Sequence, residues 1–240
     1  FGAVVLGIVL YAVVVVAAGA FHADFTDTLL WAEASWRSGR MFDPGFHYAA
    51  TLPFGGQWLM LPFLPLFGVG MAAHTAGMVL FALILAAAVV LLARRALGFS
   101  PLWTACALAF ALLSVSGSEK MRELYWGHII YYSLGSLFLT VGLTLATTAL
   151  RRHASGISPS RGPDKRRAWI LWGGFCLWVF LCSVNGLQGM FTFGVPLLGA
   201  LAIDWFLAPA SHMAADRDAH RHVLAAAALS CLLGLAAGLL

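Results

Sequence analysis

Apolar stretches punctuate the chain at 2–20, 71–93, 101–117, 128–150, 168–184, 188–207 and 223–240, and short polar or charged segments separate them. A helix needs about 20 mostly apolar residues to cross the hydrocarbon core of a bilayer, and several of these stretches reach that length with no charged residue inside. The pattern predicts an all-α fold: a polytopic transmembrane helix bundle of about seven spans, forming a single transmembrane domain over 1–240. The chain opens at Phe1 and stops at Leu240 inside an apolar run, so that domain is expected to be incomplete at both ends. An eighth apolar segment, FGGQWLMLPFLPLF at 54–67, contains Pro62 and Pro65 and is short, which predicts a re-entrant or interfacial element rather than a span.

The first connection, 21–57, is too long for a simple link between two spans and is expected to carry its own structure. Thr26 or Asp27 can cap a helix over 28–38, with Leu30, Trp31 and Ala34 on one apolar side and Gly39 as its stop. Such an amphipathic helix is predicted to lie along the membrane surface.

Composition agrees with the pattern. The chain is 61% apolar and 10% charged, with a mean hydropathy of +0.88, which excludes an ordinary soluble domain of this length. Its formal charge of +4 resolves once the basic residues are sorted by loop. Arg94, Arg95, Arg151, Arg152, Arg161, Lys165, Arg166, Arg167, Arg217 and Arg221 fall on one side, and only Arg37, Arg40, Lys120 and Arg122 on the other. The positive-inside rule then places the amino terminus in the cytoplasm of a multi-pass plasma-membrane protein. The basic segment 151–167, RRHASGISPSRGPDKRR, is explained as a cytoplasmic stop-transfer loop, and no nucleic-acid partner is expected. The four cysteines sit in apolar spans without CxxC spacing and read as small buried hydrophobes.

Ionisable residues mark function in membrane proteins, and here they collect at the outer ends of helices rather than at mid-depth. Asp24 and Asp27 stand at the mouth of the first span, where a carboxylate can act as a general base or hold a divalent cation against a phosphate. A helix cap and a solvated loop residue explain the same pair without chemistry. The second outer loop, SEKMRELYWGH at 118–128, is dense in charge: a short helix there could turn Lys120 and Arg122 toward an anionic headgroup, flanked by Glu119, Glu123 and His128. Ordinary surface ion pairs would look the same. In the third outer loop Asn185 and Gln188 can hydrogen-bond a sugar hydroxyl, although Asn185-Gly186 is also standard turn chemistry. The outer aromatics, among them Trp31, Trp36, Trp58, Tyr125, Trp126, Tyr131 and Tyr132, are expected mostly in an interfacial belt. His22, His47, His74 and His128 have no HxxxH or HExxH spacing, so no dedicated metal site is predicted, and His22 is carried as a substrate-binding candidate.

The order of features is a first span, Asp24 and Asp27 just outside it, an amphipathic helix ending at Gly39, FDPGFHY at 42–48, LPFGG at 52–56 and LFG at 66–68. That order resembles the amino-terminal module of GT-C type membrane glycosyltransferases. The resemblance implies a donor sugar carried on a polyprenyl phosphate and an acidic catalytic base in the first outer loop, here Asp24 or Asp27. This sequence has Asp24-x-x-Asp27 where the family often has adjacent acidic residues, and LPFGG where it often has a Pro-Pro-Leu segment.

The function expected from these readings is sugar transfer from a polyprenyl-phosphate carrier to an acceptor on the outer face of the membrane, with membrane lipid as the other partner. A transporter or flippase for a lipid-linked or small polar solute is the rival from another class, and it would require a polar path at mid-bilayer that the sequence lacks. A non-catalytic membrane scaffold is the third reading. It predicts that the outer carboxylates do not converge.

Overall fold

The structure, a computed structural model, describes residues 1–16, 23–46, 56–127, 131–154, 163–207 and 214–239. The described residues are mostly helical, with no strand among them, as the apolar pattern predicts. Four helical segments are long and apolar enough to cross a membrane: Met71–Ala96, Tyr132–Arg151, Gly186–Leu207 and His220–Gly238. A fifth candidate is the pair Pro101–Ser114 and Glu119–Gly127, bent by 103° at its break. Two of the stretches expected as spans are shorter apolar helices, Gly2–Val15 and Ala168–Ser183. Large apolar side chains point outward, Phe110, Phe206 and Leu232 among them, more than 60% exposed each. A surface of this kind is stable against lipid and not against water.

The chain divides into two units, the first made of 1–94 with 99–137 and the second of 95–98 with 138–240. In the first, α1 (Gly2–Tyr11, continued by a π-helical turn Ala12–Val16) packs on α6 (Pro101–Ser114), where Gly2 lies against Leu108 and Ala105. Ser100 caps α6 by accepting from the Trp103 N–H, with Pro101 preset for the first helical position. The segment after α2 (Ala23–Ser38) is helical from Gln57 to Phe67, as α3 (Gln57–Met60), a 3-10 turn (Leu61–Phe63) and α4 (Leu64–Phe67). Gly68, at φ +69°, ends it, and α5 (Met71–Leu91) follows. The segment is a short apolar helix broken by the 3-10 turn, below the length of a candidate span. It packs closely on α5: a Cβ at Gly77 would lie 2.8 Å from Met60 Cγ and 3.3 Å from the Leu59 carbonyl. Val14, Phe63, Phe67 and the α5 face around Thr75 and Val79 line an apolar groove of about 540 Å³.

In the second unit, α8 (Tyr131–Ala154) contributes from Phe138 onward, with α9 (Pro163–Ser183), α10 (Gly186–Gly189) and its π-helical continuation Met190–Gly194, α11 (Val195–Leu207) and α12 (Ala214–Leu239). Its centre is aromatic. Phe138 meets Trp178 and Phe193 edge-on, and the Trp178 indole donates to the Phe138 carbonyl at 3.0 Å. The α9–α12 seam is closed by small residues. A Cβ at Gly234 would strike the Phe180 carbonyl, and one at Gly238 the Val184 carbonyl. Without a water-driven hydrophobic effect between helices, such close backbone approach is how helices in lipid gain dispersion energy.

Candidate functional site

The first-loop helix exists, and it differs from its expected form in two ways. It begins at Ala23, so Thr26 and Asp27 lie inside its first turns and neither is its cap; Gly39, at φ +64°, does stop it. Its buried side is Thr28, Leu29, Trp31, Ala32, Ala34 and Ser35, so Trp31 and Ala34 are buried as expected, whereas Leu30 is 44% exposed. The physical reason is its partner. α2 packs on α3, α4 and α5, so the side that is covered is set by those helices, and Leu30 falls outside it. Beyond Gly39 the chain folds back: Ser35 Oγ donates to the Met41 carbonyl at 3.0 Å, Gly45 N–H donates to Asp43 Oδ1 at 2.8 Å, and the Phe42 ring meets Trp58 at 6.1 Å.

Asp24 and Asp27 therefore stand at positions i and i+3 of one helix, in the first turns where the helix dipole favours negative charge. Asp27 is half-buried and enters none of the ion pairs found among the described residues; the Asp24 side chain lies outside them. Glu33, six residues beyond Asp27, is tied to Arg37.

The second-loop helix also forms where the charge pattern predicts. Ser118 accepts from the Met121 N–H at 3.1 Å and caps α7 (Glu119–Arg122), which continues through a π-helical turn to Gly127. Its cations are already engaged locally. Lys120 pairs with Glu123 at 2.7 Å, and the Arg122 guanidinium donates to the Ser116 carbonyl at 3.1 Å. Glu119 is exposed. The segment is fastened by Trp126, which is 2% exposed, donates to Ser116 Oγ at 2.8 Å and meets Phe81 of α5 at 6.3 Å. Tyr125 shares a hydrogen bond with Ser136 at 3.0 Å. Trp31 and Trp126 are thus core residues and not members of an interfacial belt, while Trp36 and Tyr132 are about half exposed as a belt requires.

Both charged groups rest on the first unit: α2 and the π-helical turn Glu123–Gly127 each pack against α5. Asn185 and Gln188 belong to the second unit. Gly186 takes φ +67°, as the Asn-Gly turn predicts; Asn185 is buried with its side-chain oxygen unpartnered, and Gln188 is exposed. His22, His47 and His128 lie outside the described residues. Among the described residues no three His, Cys, Asp or Glu side chains gather as a metal-ligand set.

Two features had no sequence signal strong enough to single them out. Gln57 of α3 is fully buried in the seam between α2 and α5. His220 Nε2 lies 3.1 Å from Asp204 Oδ2, joining α12 to α11 across sixteen residues of sequence. Asp204 lies in an apolar helix, which could have flagged it; its partner could not be read from spacing.

No protein-family model, no curated protein and no solved structure matches the chain. What fold and composition define is an all-helical protein with several helices fit to cross a membrane.

Proposed function

We propose that the chain is a GT-C-like membrane glycosyltransferase that moves a sugar from a polyprenyl-phosphate carrier to an acceptor hydroxyl on the outer face of a prokaryotic plasma membrane. In this reading seven segments cross the bilayer, with Gly2–Val15 and Ala168–Ser183 as short spans and the bent Pro101–Gly127 pair as one more. The amino terminus is cytoplasmic, as the ten-to-four division of basic residues favours.

The observation that carries the reading is that Asp24 and Asp27 fall in the first turns of the helix that follows the first apolar stretch, with Asp27 half-buried and in none of the ion pairs among the described residues. One of these carboxylates takes the proton of the acceptor hydroxyl as the acceptor oxygen attacks the anomeric carbon. The bond from that carbon to the carrier phosphate oxygen breaks, and the phosphate leaves with the electron pair. Arg122 and Lys120 offset the charge that develops on it. Lys120 must first exchange its Glu123 partner for the phosphate.

The test is transfer of a radiolabelled hexose from its polyprenyl-phosphate carrier in proteoliposomes holding the full chain. Replacing the base with its amide, Asp27→Asn or Asp24→Asn, is expected to lower the rate by about 10²–10⁴-fold for one of the two. Full transfer by both variants, or none by the unmodified chain with any carrier sugar, removes the proposal and favours the scaffold.

A further inference from the structure

Gln57 is fully buried, and neither its amide nitrogen nor its amide oxygen has a hydrogen-bond partner among the described residues. The hydroxyl of Thr28 on α2, also fully buried, has no partner among the described residues either. Polar groups taken from water without partners oppose folding, and an apolar side chain of similar volume would avoid the cost at either position. Such groups call for an explanation, and a guest that supplies the missing partners is one.

Both groups lie in the same layer of the first unit, where α3 is held between α2 and α5. Thr28 belongs to the buried stripe of α2 with Trp31, Ala32 and Ser35, and Gln57 is buried on α3 with Met60. The α3–α5 side of that layer is closed tightly, since Gly77 leaves no room for a Cβ beside Met60. The α2 side carries the unpartnered hydroxyl, so α2 is the wall whose parting would uncover both groups. Asp27, the residue before Thr28, sits on that same helix.

We infer that Gln57 and Thr28 form a closed recognition subsite for hydroxyl groups, opened when α2 parts from α3. An amide donates through its NH2 and accepts through its oxygen, and the threonine hydroxyl does either, so together they match neighbouring hydroxyls on a ring. The ligand class is a polyhydroxylated ring, lipid-borne or free. This choice of ligand rests on the transferase reading, and the subsite would be its sugar-recognising part.

The experiment follows thermal unfolding of the full chain in phosphatidylcholine nanodiscs, alone, with a mixture of glucosyl-, galactosyl- and mannosyl-diacylglycerol in the bilayer, or with the corresponding methyl hexosides dissolved in buffer. The unmodified chain is expected to unfold later by about 2–4 °C with a sugar probe. Response to the glycolipids alone assigns a lipid-borne ligand, and response to the methyl hexosides a free one. Gln57→Leu and Thr28→Val are expected to unfold later than the unmodified chain without probe and to lose the increment with it. Met60→Leu, equally buried beside Gln57, keeps the increment. If Gln57→Leu does not fold, Gln57→Asn shortens the amide by one methylene and is expected to cut the increment. No response of the unmodified chain to either probe overturns the inference, as does an undiminished increment in Gln57→Leu. An increment without any sugar transfer would leave the subsite standing while the transferase reading fails, and transfer without an increment would do the reverse.

Discussion

The Trp126 indole donates to the Ser116 hydroxyl at 2.8 Å, spanning the break where the chain turns 103° between α6 and the helix that follows. Trp126 thereby sets the direction of the segment that carries Lys120 and Arg122. Trp126→Phe keeps the ring packed on Phe81 and loses the hydrogen bond, and is expected to cost about 1 kcal/mol. Trp126→Ala is expected to cost about 3–5 kcal/mol. Hydrogen exchange over 119–127 should rise in both. Unchanged protection in Trp126→Ala would mean that the bend is held by something else.

The α9–α12 seam predicts unequal tolerance of glycines. Gly234→Ala pushes a methyl group into the Phe180 carbonyl, backbone that cannot yield cheaply, and is expected to destabilise by about 1–3 kcal/mol. Gly173→Ala on α9 meets open space and is expected to be neutral or mildly stabilising. Denaturation of the two variants side by side decides it; equal stabilities would contradict the seam.

Gly39 has φ +64° and nothing within 4 Å of where a Cβ would stand, so any cost of substitution there is conformational rather than steric. Gly39→Ala is expected to lose about 1–2 kcal/mol and Gly39→Asn clearly less, since Asn tolerates the left-handed region. A larger loss for Asn than for Ala would show that side-chain size matters at this turn.

The Asp204–His220 contact is the sort of pair whose energy is easily overstated. The Asp204 side chain is 55% exposed, and a double-mutant cycle with Asp204→Asn and His220→Gln is expected to give a coupling below about 1 kcal/mol. A coupling several times larger would indicate that the pair is shielded by lipid or by further chain.

Much of the helix order was legible because long apolar runs have one common solution in lipid, where every backbone N–H and C=O must be paired within its own helix. The short charged helix at 119–122 was legible for a local reason: Ser118 supplies a cap, and charges three and four residues apart are helical neighbours. Gly39 and Gly186 were legible from backbone sterics. What the sequence could not reveal was tertiary. An amphipathic reading of α2 favoured Leu30 over Thr28 and Ser35, because it assumed a lipid partner where the helix has α3 and α5. Glu119 was a plausible neighbour for Arg122, yet Arg122 turns to the Ser116 carbonyl, a choice set by the bend after α6. Gln57, inside a short apolar segment, looked like a boundary residue, since a lone glutamine gives no hint of which helix will cover it. The candidate carboxylates were found by their place in the chain, and the polar groups beneath their helix only by burial.

The close fit of α9 to α12 also bears on how the protein is made. The apolar part of α9, Ala168–Ser183, is short, and the glycines that receive it, Gly234 and Gly238, leave the ribosome well after it. Until α12 arrives, α9 has no partner for its most closely packed side, so its place in the second unit becomes secure only when the later helix is delivered. The packing of α9 is therefore completed late in synthesis, when α12 joins it, rather than as each helix emerges.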